Sequence, residues 1–168
     1  MTKPQDIMVA LKLFLSDSDH TFSELAQELC MSASEVHGAV KRLERARLLE
    51  PNSRKVKVKA LREFLNEGVP YAFPAHPGAL TRGMATSWGG PVLRDLIRGK
   101  ESEIPVWPDP QGKQRGVALE PLYRSASRAA EKDPKLYDLL SLVDALRSGR
   151  ARERSLASKE LNSRLIHA

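Results

Sequence analysis

Two copies of one short motif, eleven residues apart, constrain the fold of this chain more than any other feature of its sequence. Thr21-Phe-Ser-Glu24 and Ser32-Ala-Ser-Glu35 both fit the capping box, in which a hydroxyl accepts from the third residue's N–H and the glutamate reaches back. Each box predicts the start of a helix. The helices are expected at about Phe22 to Cys30 and over residues 33–47, and together they form a helix-turn-helix.

A β-hairpin is predicted directly after these two helices. The turn formers Pro51-Asn52-Ser53-Arg54 precede Lys55-Val-Lys-Val-Lys59, whose strict alternation is typical of a half-buried strand. This strand is expected to pair with residues 48–50. A helix is expected from Ala60 to Glu67, with Gly68 as its left-handed cap. A helix-turn-helix followed by a hairpin is a winged helix.

The charge of the chain is concentrated around the second predicted helix and the hairpin. The 168 residues carry a net charge of +6, and residues 41–62 alone hold nine Lys or Arg against two Glu. A compact basic patch on a basic chain indicates a polyanionic partner, with nucleic acid ahead of an acidic protein or a lipid surface. The alternative interpretation is a solvated charged face.

The residues in this region resemble those of a known family. Leu25-Ala-Gln-Glu-Leu29, Met31-Ser32, Val36, Val40, Arg42-Leu43-Glu44 and Leu48-Leu49 resemble the winged helix-turn-helix of bacterial regulators of the MarR and related types. The resemblance covers roughly residues 5–65. It implies that helix 33–47 enters the major groove of DNA and that hairpin 48–59 is the wing.

One residue, Arg47, departs from the pattern of that family. Arg47 stands where glycine is common, and a left-handed conformation there costs an arginine about 1 kcal/mol.

The exposed residues of the second predicted helix and of the turn supply a set of expected DNA contacts. With Val36, Ala39, Val40 and Leu43 facing inward, helical geometry turns the opposite face of the helix to solvent. The predicted DNA-binding residues are Ser32, Ser34, Glu35, His37, Gly38, Lys41, Arg42, Arg45, Asn52, Arg54, Lys55 and Lys57. Gly38 serves either close approach to DNA or close packing against the preceding helix.

The remainder of the chain predicts less regular structure and then further helices. Residues 69–118 are rich in Pro and Gly, which indicates an irregular segment held by aromatic anchors, with an extended stretch from Ile104. A helix is expected over Leu119 to Lys132, and Asp133-Pro134 begins another. That last helix carries an apolar stripe that is either internal core or a dimer or partner surface: Leu136, Leu139, Leu140, Val143 and Leu146.

The predicted fold class is therefore mainly α with a small β-hairpin. It comprises an N-terminal winged helix-turn-helix at 1–68, an irregular segment at 69–118 and a C-terminal helical region at 119–168. The expected function is that of a dimeric, sequence-specific transcriptional regulator binding double-stranded DNA. The alternative is an antitoxin-like adaptor that uses the winged helix and the C-terminal helices to bind a partner protein.

Other classes of protein have weak support in the sequence. No apolar run approaches the ~20 residues that span a bilayer, and the single cysteine, Cys30, indicates a reducing setting such as the cytoplasm. Ala85-Thr-Ser87-Trp-Gly89 has the spacing of a nucleophile elbow but lacks that motif's predicted strand and partner residues. No enzyme, cofactor or metal site is expected.

Overall fold

The computed structural model describes residues 1–16 and 19–166, where the chain is mainly α-helical with one small β-sheet. Within these residues the elements are, in order, α1 (Pro4–Leu15), α2 (Phe22–Leu29), α3 (Ala33–Arg45), α4 (Val58–Glu67), α5 (Val69–Ala72), β1 (Pro77–Ala85), β2 (Pro105–Pro108), β3 (Gln114–Leu119), α6 (Ala126–Lys132), α7 (Pro134–Ser148) and α8 (Ala151–Arg164). None of the helices in the described ranges is long and apolar enough to span a membrane.

Both predicted capping boxes are confirmed. Thr21 Oγ1 accepts from the Glu24 N–H at 3.1 Å, and Ser32 Oγ accepts from the Glu35 N–H at 3.1 Å. The two glutamates accept from the N–H groups of Thr21 and Ser32 in return. Helix α2 ends at Cys30 in a left-handed conformation, φ 55°, so only a short turn separates it from α3.

The predicted pairing with residues 48–50 is present, since the Glu50 N–H donates to the Lys55 carbonyl at 2.7 Å and the Lys57 N–H to the Leu48 carbonyl at 2.9 Å, but the strand predicted to extend to residue 59 is wrong. Only Leu49 and Val56 form a β-bridge, and α4 already begins at Val58. As a helix, the chain from Val58 onward buries Leu61 and Leu65 fully in the core. These two residues are four apart, so they share one face of a helix, and their burial favours the helix over an extended strand. Gly68 ends α4 with φ −111°, so the predicted left-handed cap is also wrong.

The segment expected to be irregular contains the β-sheet. Strand β1 pairs antiparallel with both β2 and β3, and β2 pairs parallel with β3, so the three strands close on one another. Such tight closure requires glycine, because a Cβ on Gly83 would lie 1.9 Å from the Trp107 carbonyl oxygen. Glycines such as Gly83 interrupt the alternation of apolar and polar residues by which strands are recognised in a sequence. Leu119 ends β3, so the helix predicted from Leu119 begins only at Ala126.

Helix α7 lies at the centre of the molecule. It contacts α1, α4, α5, α6 and α8, and it begins at the predicted Asp133 cap. The five residues of the apolar stripe, Leu136, Leu139, Leu140, Val143 and Leu146, are at most 4% exposed. The stripe is therefore internal core and not a dimer or partner surface, and the homodimer predicted from it loses its structural basis.

The N-terminal and C-terminal helices share one hydrophobic core and several polar contacts. Lys12 Nζ lies 2.8 Å from Asp133 Oδ2, and Ser125 Oγ donates to the Leu29 carbonyl at 2.8 Å. Burial opposes the charge of Asp133, but the hydrogen bonds from Lys12 and the backbone N–H groups of Leu136 and Lys135 outweigh it and lower its pKa. Residues on both sides of the sheet segment thus form a single packed unit.

Arg47 adopts the left-handed conformation that its position suggested, with φ 63°. We expect Arg47→Gly to raise the free energy of unfolding by about 1 kcal/mol, because glycine adopts this conformation without a steric penalty. Arg47→Ala is the matched control, since it removes the same charge but keeps the strain. Urea denaturation measures both, and equal stability of the two variants contradicts the assignment.

Candidate nucleic-acid interface

One face of α3 carries exposed polar and basic side chains at helical spacing. Ser34, His37, Lys41 and Arg45 are all exposed, while Val36, Ala39, Val40 and Leu43 on the opposite face are buried. The ring of His37 meets that of Phe22 edge-on at 5.1 Å between centroids. Lys41 and Arg45 make no ion pair or side-chain hydrogen bond among the described residues. We call Ser34, His37, Lys41 and Arg45 the α3 face.

Arg42 does not belong to this face, contrary to the sequence-based prediction. Its Nε and Nη2 each donate to one carboxylate oxygen of Asp6 at 2.8 Å, and Asp6 is fully buried. The hydrogen bond to Asp6 raises the pKa of Arg42, and the partly buried guanidinium is held against this carboxylate. A Cβ on Gly38 would lie 3.2 Å from Arg42 Nη1, close enough that the guanidinium would have to shift by a few tenths of an ångström. None of the three atoms nearest to that position belongs to α2, so the predicted packing against the preceding helix is not found, whereas close approach to DNA stays a prediction.

The start of α3 is covered by a segment that no sequence pattern connects with it. Tyr123 donates a short hydrogen bond to Glu35, and Arg124 Nη2 lies 3.5 Å from the same carboxylate. The hydrogen bond from Tyr123, followed by that from the Ser32 N–H, lowers the pKa of Glu35. Glu35 and Ser32 are therefore engaged in capping and tertiary contacts, whereas Arg124 is 75% exposed and adds a cation beside α3. Only proximity in the fold reveals this residue, because no motif surrounds it.

Of the predicted DNA-binding residues in the turn between α3 and α4, some are exposed and others are held by contacts within the protein. Arg54 Nη1 donates to the His20 carbonyl at 2.6 Å, and its guanidinium lies 5.1 Å from the centre of the Phe22 ring. Arg54 is thus held against the start of α2 and is not a free clamp. Lys57 lies 4.0 Å from Glu50 and is half-buried. Asn52 and Lys55, the other two predicted contacts in this turn, are both exposed.

Ser87, which is not expected to act as a nucleophile, has an unusual setting in the structure. A strand, β1, does precede it, which the sequence pattern does not predict, and Ser87 has φ 55°. Its Oγ is buried and has no hydrogen-bond partner among the described atoms, so no base is in contact with it. Within residues 1–16 and 19–166, no group of three or more His, Cys, Asp or Glu is placed to hold a metal ion.

Comparisons of the chain with protein-family models, curated proteins and solved structures gave no significant match. The case for a function therefore rests on the geometry of the α3 face and its surroundings.

Proposed function

We propose that this protein binds double-stranded DNA in a sequence-dependent manner and acts as a transcriptional regulator. In this proposal residues 4–67 form a winged helix-turn-helix, the α3 face enters the major groove, and the short turn at residues 50–57 lies along the phosphate backbone. The proposal rests on one observation: α3 exposes two unpaired cations on the face opposite its buried residues.

The chemistry of this face suits DNA better than it suits a protein surface. Arg45 offers the forked donors that recognise the O6 and N7 atoms of guanine, and Lys41 offers a point charge for either guanine or phosphate. Ser34 and His37 are short polar groups at the start of the face, where a recognition helix approaches base edges. Lys55 on the turn and Arg124 beside α3 lie at the margins, where contacts to phosphate are expected.

The salt dependence of binding provides the first test. Fluorescence anisotropy with a labelled duplex gives log affinity against log salt for the full chain and for the triple variant Lys41→Gln, Arg45→Gln, Lys55→Gln. If each of these side chains neutralises one phosphate, the slope is expected to fall by about 0.9 for each side chain replaced, because fewer counterions are released. Selection from randomised duplexes then measures sequence preference.

A second triple variant serves as the control for net charge. Lys100→Gln, Lys113→Gln and Lys159→Gln remove the same charge from exposed positions elsewhere in the molecule. Their salt slope is expected to match that of the unaltered chain. Equal slopes for both triple variants contradict the proposed interface. Weak, salt-independent association with DNA favours the alternative of an adaptor that binds a protein.

A further inference from the structure

A cavity lies on a part of the molecule that the proposed DNA interface does not use. It is bounded by the β-sheet, the loop that follows residue 96 and the junction between α7 and α8, and its volume is about 340 Å³. This volume is close to the lower end of the ~300–1,000 Å³ typical of small-molecule sites. A ligand that fills it is therefore small.

Ser87 in the wall of this cavity is the first indication of a ligand. The residue is 1% exposed, and its Oγ has no hydrogen-bond partner among the described atoms. A buried hydroxyl without a partner costs free energy, and a serine held at φ 55° adds backbone strain. Costs of this kind concentrate at sites where a ligand supplies the missing contact.

Two arginines and a helix end give the cavity the chemistry of an anion site. Arg98 and Arg150 line it, and neither side chain forms an ion pair or hydrogen bond within the described residues. Arg150 immediately precedes the 14-residue helix α8, whose first N–H groups have no acceptor inside the helix. A guanidinium beside a helix N-terminus is well suited to a phosphate group. Glu153 of α8 also lines the cavity and accepts a hydrogen bond from the Arg150 N–H, so the two guanidinium groups face one carboxylate at this end of the helix.

Other residues of the lining suit the rest of such a ligand. Trp88 offers an aromatic surface for a planar group, and Glu103 offers an acceptor for hydroxyl or amino hydrogens. We propose that this cavity binds a mononucleotide, with its phosphate at Arg98, Arg150 and the start of α8, and its base against Trp88. Ser87 Oγ donates to the ligand. This inference does not depend on the proposed binding of DNA.

Calorimetric titration of the full chain with AMP, GMP, CMP and UMP tests the proposal, with adenosine and inorganic phosphate as partial ligands. At least one nucleotide is expected to bind at a single site and more tightly than either partial ligand. Arg98→Ala and Arg150→Ala are each expected to weaken that binding about tenfold or more, as loss of a charge-assisted hydrogen bond does. Arg152→Ala and Arg154→Ala are the matched controls, being arginines of α8 outside the cavity.

Ser87→Ala separates a ligand contact from a structural role. Removal of an unpartnered buried hydroxyl is expected to raise the midpoint of thermal unfolding of the free protein while weakening nucleotide binding. A serine with only a structural role shows lower stability and unchanged binding, which overturns its assignment as a ligand contact. The whole proposal is overturned if no nucleotide binds at low millimolar concentration, if adenosine or phosphate binds as tightly as the nucleotide, or if Arg150→Ala leaves binding intact.

Discussion

Replacement of Arg42 by alanine is expected to lower the free energy of unfolding by about 3 kcal/mol or more, because it leaves the carboxylate of Asp6 buried without its counter-ion. Asp6 is fully buried and accepts two hydrogen bonds from Arg42, at 2.8 Å each, and one from the Lys3 N–H. Lysine cannot reproduce the forked geometry, so Arg42→Lys is expected to restore only part of the loss. Urea denaturation followed by circular dichroism measures both variants.

Arg45→Ala is the matched control on the same helix. Arg45 is exposed and unpaired among the described residues, so its loss is expected to change stability by less than about 0.5 kcal/mol. The same variant is expected to weaken DNA binding by about 1–3 kcal/mol if Arg45 reads a base. Comparison of the two variants therefore separates an effect on stability, expected for Arg42→Ala, from an effect on DNA binding, expected for Arg45→Ala. If Arg42→Ala unfolds like the unaltered chain, the pair with Asp6 contributes nothing.

Replacement of Asp144 by asparagine is the second large effect that we expect, a loss of about 3 kcal/mol or more in the free energy of unfolding. Asp144 is 1% exposed and accepts from Thr86 Oγ1, Trp107 Nε1 and Arg147 Nη1, each at 2.7 Å. An amide offers one acceptor oxygen, so its NH₂ group must face either Arg147 or the indole N–H of Trp107, which only donate. The substitution also leaves Arg147 buried without an opposite charge.

Asp138→Asn tests the same chemical change on the same helix in a different setting. Asp138 is half-buried, and its carboxylate makes no hydrogen bond or ion pair among the described residues, so the amide leaves no partner unsatisfied and is not expected to destabilise the fold. Stability within about 0.5 kcal/mol of the unaltered chain is the expected result. An Asp144→Asn protein as stable as Asp138→Asn contradicts the view that this network joins the sheet to α7.

The parts of the fold that the sequence predicted correctly depend on residues close together in the chain. Each capping box spans four residues, and the Asp133 cap of α7 bonds to N–H groups two and three positions away. These interactions form wherever the chain turns into a helix. The left-handed conformation of Arg47 is equally local. Such features need no knowledge of what packs against the helix.

The sheet could not be predicted from the sequence because its pairings are not local. Strand β1 pairs with residues more than twenty positions further along, and β2 takes only four residues. Strands this short, with Gly and Pro at sites of close backbone approach, lack the alternating pattern that identifies a half-buried strand. Residues 55–59 show the opposite case. Their valines and lysines alternate regularly, as in a strand, but the chain enters α4 at Val58 because burial of this helix against the core stabilises it more.

For the candidate site, the spacing of apolar residues is sufficient to identify the exposed face of α3, because it assigns the buried side of a helix without reference to partners. Which of the predicted cations are free to bind depends on the tertiary structure. Arg42 and Arg54 are taken up by Asp6 and by the His20 carbonyl, at 36 and 34 residues' distance, whereas Arg124 is brought to α3 from the C-terminal part of the chain. A long side chain reaches across several elements, so its partner depends on how the helices pack and not on its own position in a helix.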